Sequence, residues 1–343
     1  MFGRDLDAVS VRARLGLGDD FIPWLEELES VGALTPPARL PDTHEAGNVL
    51  ARLGVSPEDA DAIIDAWLTQ DQTPELWWLL QRCHQQLISQ MGEPYPSPRC
   101  QWPLLPSHLG ASGRLFYVYV FLSALPSIRQ WHREHGIADD VSWATLADLG
   151  EHIAIHRRIF GTAGLDVPEW IIHHFRGVLY RLGRLHFHRG RLSPDWPIYH
   201  NAISNDVAGS RLIPGAPALS IHIPESGGPM TPAICDESFR QALDFFARHF
   251  PEEEYRFGQC SSWLLDPQLA NYLPSTSNIV QFQQRFHLVP GGWNGNQDVM
   301  RFVFRRVTPS LDELPQRTTL ERVVVKHLRA GQHWQIRSGW LVL

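Results

Sequence analysis

The residues able to do chemistry gather in the second half of the chain, in a few short segments. One runs Leu219-Ser220-Ile221-His222-Ile223 and continues as Pro224-Glu225-Ser226-Gly227-Gly228-Pro229-Met230-Thr231. Strand alternation groups His222 with Ser220 and sets it opposite Leu219, Ile221 and Ile223, off the purely apolar face. An imidazole titrates near neutrality, so His222 is a candidate general base; the alternative is a histidine packed and hydrogen-bonded under a sheet. Glu225, just past the strand end, is either a base on a pocket rim or a solvated loop carboxylate. A second segment runs Cys260-Ser261-Ser262-Trp263-Leu264-Leu265-Asp266. Cys260 becomes a covalent nucleophile only where a histidine lowers its pKa; otherwise it is a passive core cysteine. Asp266 either holds an ammonium group or caps a helix opened by Pro267.

His186-Phe187-His188 places two imidazoles on one strand face, with His173-His174 ahead of them. No carboxylate or cysteine follows at a ligand spacing, and 17 histidines make chance pairs common, so no metal is expected. The four cysteines, Cys83, Cys100, Cys235 and Cys260, form no CxxC pair, which argues against a zinc ribbon and a disulfide scaffold. Dinucleotide fingerprints, phosphate-loop motifs, HExxH and nucleophile elbows are absent from the sequence.

With 343 residues, 43% of them hydrophobic and 20% charged, the chain can bury a sizeable core. Thirty basic against 37 acidic residues leave a formal charge of −7, without the basic field of a nucleic-acid or anionic-membrane binder. The longest strongly apolar run, Leu115 to Pro126, is short for a bilayer span, and the charged start Met1-Phe2-Gly3-Arg4-Asp5 does not read as a signal peptide. A cytoplasmic protein with reduced thiols, no nucleic-acid partner and no membrane partner is expected.

These residues must be held by a framework that changes character along the chain. Residues 1-150 read as a helical domain. Helices are expected around Phe21 to Leu28, Glu45 to Leu53 and Ala60 to Trp67, the last with Ser56 as cap and Pro57 at its first position. Further helices follow around Trp77 to Leu87, Leu115 to His135 and Ser142 to Phe160. Residues 151-343 read as an α/β (α+β) domain. Extended segments are expected at Val178 to His188, Ala218 to Ile223, Phe257 to Leu265, Asn278 to Val289 and Val299 to Val307. In the fourth, Val280, Phe282, Phe286 and Leu288 recur at even spacing. One strong helix spans Pro232 to Phe250, with Thr231 as cap and a stripe of Cys235, Phe239, Ala242, Leu243, Phe246 and Phe250. A helix from Thr319 to Ala330 and a short apolar tail close the chain.

The order strand, glycine loop, helix, strand in this half resembles the core of a GNAT-like N-acyltransferase. The segments "YRLGRLHFHRG", "LSIHIPESGGPMTP", "CSSWLLDPQLANYLP" and "SNIVQFQQRF" resemble a bacterial family in which a helical acyltransferase N-terminal domain precedes a GNAT-like C-terminal domain with a mixed sheet. The resemblance covers most of the chain, including "VSWATLADLG". It implies an acyl thioester, most simply acyl-CoA, as co-substrate, and direct transfer to the amine of a small-molecule acceptor. His222 or Glu225 would then take the proton from the nucleophile, and Tyr272 would serve the departing sulfur or else simply pack its ring into the core. The pantetheine arm would run along Ile221 and Ile223. Ser226, Gly227, Gly228 and Thr231 would seat the pyrophosphate at the helix start, and Asp266 and Cys260 would lie on the substrate side. The basic stretch Arg176 to Arg191 suits a coenzyme A phosphate or an acidic carrier protein; the ordinary alternative is a solvated strand face.

Glu225 departs from the family loop, where a neutral or basic residue would help, and Pro229 and Pro232 remove two amide donors. An acyl-carrier protein as donor, or a non-catalytic ligand-binding module, are the alternatives. The catalytic reading requires a cleft between two diverging strands, wide enough for an extended thiol-bearing arm.

Overall fold

The computed structural model describes residues 6–31, 36–96, 101–195, 206–207, 210–306 and 310–343; Cys100 and Val307 lie outside the described residues. Two compact units divide between Tyr180 and Arg181. That is further along than the boundary expected after residue 150, because the helix at Pro168–Phe175 buries Ile171, Ile172 and Phe175 in the helical core.

The first unit contains α1 (Ala8–Leu15), α2 (Ile22–Glu29), α3 (Thr43–Arg52), α4 (Pro57–Asp65), α5 (Pro74–Ser89), α6 (Gly110–Arg114), α7 (Phe116–Glu134), α8 (Asp139–Leu146), α9 (Asp148–Phe160) and α10 (Pro168–Phe175). The Ser56 side chain accepts from the Asp59 amide with Pro57 at the first turn of α4, as its sequence requires. The single helix expected over Ser142 to Phe160 is two, broken at Ala147, where the Gly150 amide donates both to Ala147 and across to the Leu53 carbonyl. The helical stretch Ser107–Glu134 is long and apolar enough, by composition, to cross a bilayer; instead Leu115 through Leu125 are buried within the unit, where α7 packs on α5. Between these two helices the His84 ring meets the Ser123 hydroxyl at 2.9 Å. Burial pushes the His84 pKa down to about 4, so this contact joins neutral groups.

The second unit is built on a mixed sheet ordered β1 (Leu179–Leu182), β2 (Leu185–Arg191), β5 (Pro217–His222), β6 (Phe257–Ser262), β9 (Gln335–Val342) and β7 (His287–Leu288). β8 (Trp293–Asn294) also pairs with β9, while β3 (Asp206–Val207) and β4 (Ser210–Arg211) form a separate ribbon. β5 and β6 run parallel, which requires a crossover; α11 (Pro232–His249) supplies it. Thr231 caps α11 by accepting from the Ile234 amide. Its buried stripe is Cys235, Ser238, Ala242, Phe245 and Phe246; Leu243, expected in the stripe, is exposed.

Three expectations change here. Asn278 to Val289 is not a strand: α12 (Asn278–Gln283) occupies its first half and only His287–Leu288 is extended. Ser277 caps that helix, and the Phe282 and Phe286 rings, four residues apart, pack tilted with centroids 5.1 Å apart, a spacing that alternation and a helix turn both satisfy. Val299 to Val307 is likewise not a strand where described: α13 (Asn296–Val299) runs into a π-helical turn at Met300–Phe304. After α14 (Thr319–Arg329), the apolar tail is β9, which pairs with three other strands.

Candidate active site

The parallel pair at the middle of the sheet comes apart. β2 follows β5 from Arg191↔Pro217 to His186↔His222, and β9 follows β6 from Phe257↔Val342 to Ser262↔Arg337. β5 and β6 share only Ala218↔Phe257, Leu219↔Gly258 and Ser220↔Gln259. Beyond that rung Ile221 and His222 on one arm, and Cys260, Ser261 and Ser262 on the other, keep their outer partners and lose each other. Side chains close the vertex: the Gln259 amide donates to the Ser220 hydroxyl at 2.9 Å and to the Arg191 carbonyl at 2.8 Å. The β6 arm stays on β9: Ser261 and Ser338 share a 2.7 Å hydroxyl contact and, beyond the strand, the Gln335 amide donates to Asp266 at 2.7 Å. An opened parallel pair offers edge amides and carbonyls to an extended chain laid between them.

The β5 arm leads through Ile223 into the loop from Pro224 to Thr231. Gly227 and Gly228 both hold positive φ, at 94° and 80°, the conformation that turns successive amides to one side and that glycine adopts most readily. Four guanidinium groups grip this loop and the start of α11. Arg184, buried, spans the loop by donating to the carbonyls of Pro224 at 2.9 Å and Gly228 at 2.8 Å. Arg181 reaches the Ser226 hydroxyl at 3.4 Å. Arg285 donates to Asp236 at 2.6 Å and to the Pro232 carbonyl at 3.1 Å, and Arg305 forms an ion pair with Glu225. Among the described residues and contacts, these four guanidinium groups meet the two carboxylates Glu225 and Asp236 at a helix N-terminus. Gly183, between β1 and β2, sits so close to Ser238 of α11 that a Cβ would come within 2.7 Å of its hydroxyl. That approach lets the Arg184 amide donate to Ser238 at 2.8 Å and fixes the arginine over the loop.

The sequence candidates separate accordingly. His222 is half-buried, the last residue of β5, with the His188 ring 6.2 Å away on the same face. Ile221 lies on the open arm and Ile223 begins the loop; Ser226, Gly227, Gly228 and Thr231 follow as expected along the strand-to-helix turn. Glu225 is there too, paired with Arg305 rather than facing the loop unopposed.

On the other arm the candidates are absorbed by the fold. Cys260 is buried, and burial pushes its thiol up to about 12, which withholds the thiolate a nucleophile needs. Asp266 is fully buried; its carboxylate accepts from the Gln268 amide at 3.0 Å, the Gln268 side chain at 2.9 Å and the Gln335 amide. These bonds make it a cap and a strand tie, the second of the two readings its sequence offered. Tyr272 ends the short 3₁₀ turn Pro267–Asn271, and its hydroxyl meets the His327 ring at 3.1 Å while its ring packs near Trp334. In the first unit His174, one of the noted pair with His173, lies 3.3 Å from Asp148 and is held neutral by burial, with its pKa down to about 3.

Sequence reasoning missed Arg285, Arg305 and Gln259, which carry no local signal and join the site only through folding. Arg181 and Arg184 lay inside the basic stretch already singled out.

Comparison with known families matches residues 44–177 to the N-acyltransferase N-terminal domain and residues 179–341 to the GNAT-like C-terminal domain. Comparison with curated proteins gave no match. Among solved structures, an acyltransferase in complex with decanoyl-CoA is 42% identical, with a TM-score of 0.89, over 98% of this chain and 100% of that one. An acyltransferase in complex with decanoyl-CoA and teicoplanin is 43% identical, with a TM-score of 0.87 over the same shares. A tryptophan-to-alanine acyltransferase mutant in complex with octanoyl-CoA is 42% identical, again covering 98% and 100%, with a TM-score of 0.88. The chain is an acyltransferase and belongs to the family in which an N-acyltransferase N-terminal domain precedes a GNAT-like C-terminal domain.

Proposed function

We propose that this enzyme moves an acyl group from acyl-CoA to an amine of a small-molecule acceptor by direct transfer. The observation that carries this reading is the parted β5–β6 pair leading straight into an arginine-gripped glycine loop at the start of α11. The parted edges suit a pantetheine arm, with Ile221 and Ile223 on one side of it. The loop, through Ser226, Gly227, Gly228 and Thr231, suits the pyrophosphate. Relatives in complex with octanoyl-CoA and decanoyl-CoA support a medium-length fatty acyl donor, and those in complex with teicoplanin support an acceptor of that kind.

In the reaction the acceptor nitrogen attacks the thioester carbonyl carbon, the C–N bond forms and the C–S bond breaks. His222, at the open end of β5, is the base that removes a proton from the nitrogen, and coenzyme A leaves as thiol. Holding donor and acceptor together supplies much of the rate, since a neutral amine is already a good nucleophile. The buried, protonated Cys260 favours this direct route over an acyl-enzyme.

Steady-state assays with decanoyl-CoA and teicoplanin test the reading. Amide product with release of free coenzyme A is the expected result. Activity only with an acylated carrier protein, or binding without turnover, would replace it.

A further inference from the structure

Glu225 lies in the loop that receives the donor's phosphates in this reading, and an ionised carboxylate there repels them. The fold answers it with Arg305. The Arg305 guanidinium forms an ion pair with Glu225, and its Nη1 also donates to the carbonyls of Arg301, at 3.2 Å, and Phe302. The side chain is therefore pinned by its own turn on one side and by the loop on the other.

The backbone under that side chain is unusual. Arg305 ends the π-helical turn Met300–Phe304 with φ 58° and ψ 42°, and among the described residues it is the one non-glycine at positive φ. Glycine adopts that conformation without the contact between Cβ and carbonyl that opposes it in other residues. An arginine held against this preference points to work done by its head group, and π-helical turns of this kind recur at functional sites.

Charge says what the work is. Arg181 and Arg184 bring positive charge to the loop, and Glu225, two residues before Gly227, subtracts from it. We propose that Arg305 is a positioning residue for the donor: by neutralising Glu225 it makes the glycine loop an anion seat although the sequence places a carboxylate in it. The inference rests on acyl-CoA as donor and explains how this loop tolerates an acidic residue.

Isothermal titration of the full-length protein with coenzyme A, and kinetics with decanoyl-CoA and S-decanoyl-pantetheine, test it. R305Q should weaken coenzyme A binding about tenfold. Its kcat at saturating decanoyl-CoA should stay within about twofold of wild type. KM for S-decanoyl-pantetheine, which has no phosphates, should not move. R305G, whose backbone suits the positive φ, should show the same coenzyme A deficit with the fold undisturbed. The double variant E225Q/R305Q should bind coenzyme A within about threefold of wild type, the non-additivity of a coupled pair.

Unchanged coenzyme A affinity in both single variants overturns the proposal. So does a double variant as weak as R305Q, since Arg305 would then touch the donor or hold the loop itself, and so does an equal loss with the pantetheine substrate. Wild-type protein that gives no coenzyme A isotherm overturns the donor reading and this inference with it. A normal wild-type isotherm beside indifferent variants overturns the inference alone.

Discussion

The two arms of the parted strand pair start from the same rung, Ser220↔Gln259, and treat their reactive residues in opposite ways. Along β6 and the turns after it, Cys260 and Asp266 are buried, Asp266 tied to β9, and Tyr272, itself half-buried, has its hydroxyl taken up by the His327 ring of α14. Along β5 and its loop, His222 stays half-buried, while Glu225 and the glycines lie where arginines converge. One arm builds the opening and the other equips it. A list of nucleophiles, acids and bases drawn from sequence mixes the two, and only burial and partners tell them apart.

The sharpest test of that division is His222→Gln. Loss of the proposed base should lower kcat about a hundredfold or more, with the melting temperature little changed. A drop in stability with normal kcat per folded molecule would move His222 to the structural arm. Asp266→Ala should do the reverse. Removing a buried carboxylate that accepts three hydrogen bonds should cost about 3 kcal/mol in urea unfolding, with turnover per folded enzyme within about threefold. A large kcat loss in a stable Asp266→Ala protein would return Asp266 to the acceptor site.

Tyr272→Phe is the next step down. It strips the buried His327 ring of its partner and should cost about 1 kcal/mol of stability. A kcat fall of about tenfold or more, titrating with the leaving thiol's basicity, would instead make Tyr272 the acid. Cys260→Ala should change activity least, within about twofold, and mass spectrometry during turnover should find no acylated cysteine. The raised thiol pKa also fixes a pH signature. The unfolded chain loses this proton near pH 9 and the folded chain near 12, so the stability it contributes is full below about pH 9 and is lost as pH rises toward 12. Iodoacetamide at pH 8 should therefore label Cys260 only in denatured protein.

Local signals in the sequence were legible where the structure is local. The caps at Ser56 and Thr231, the core helix after Leu115, the β5 strand and its glycine loop all follow from adjacent residues. What was misread depends on distant partners. Asn278 to Val289 carries β-prone side chains, yet Ser277 caps it as a helix, and the Gln283 side chain ties it to the carbonyls of Leu264 and Asp266. The closing tail looked like an end and is the strand that stays paired with β6 past the rung where β5 leaves it. The conflict posed by Glu225 had no visible answer, because Arg305 lies in a segment read as extended and meets the loop only through a helical turn.

Hydrogen exchange with and without decanoyl-CoA tests the donor site most directly. Bound donor should slow exchange at the amides from Ile221 to Cys235, covering the open end of β5, the glycine loop and the first turn of α11, and leave Asp266 to Tyr272 unchanged. Saturating donor that leaves the Ile221 to Cys235 amides exchanging as in the free protein would contradict a donor lying between the two arms.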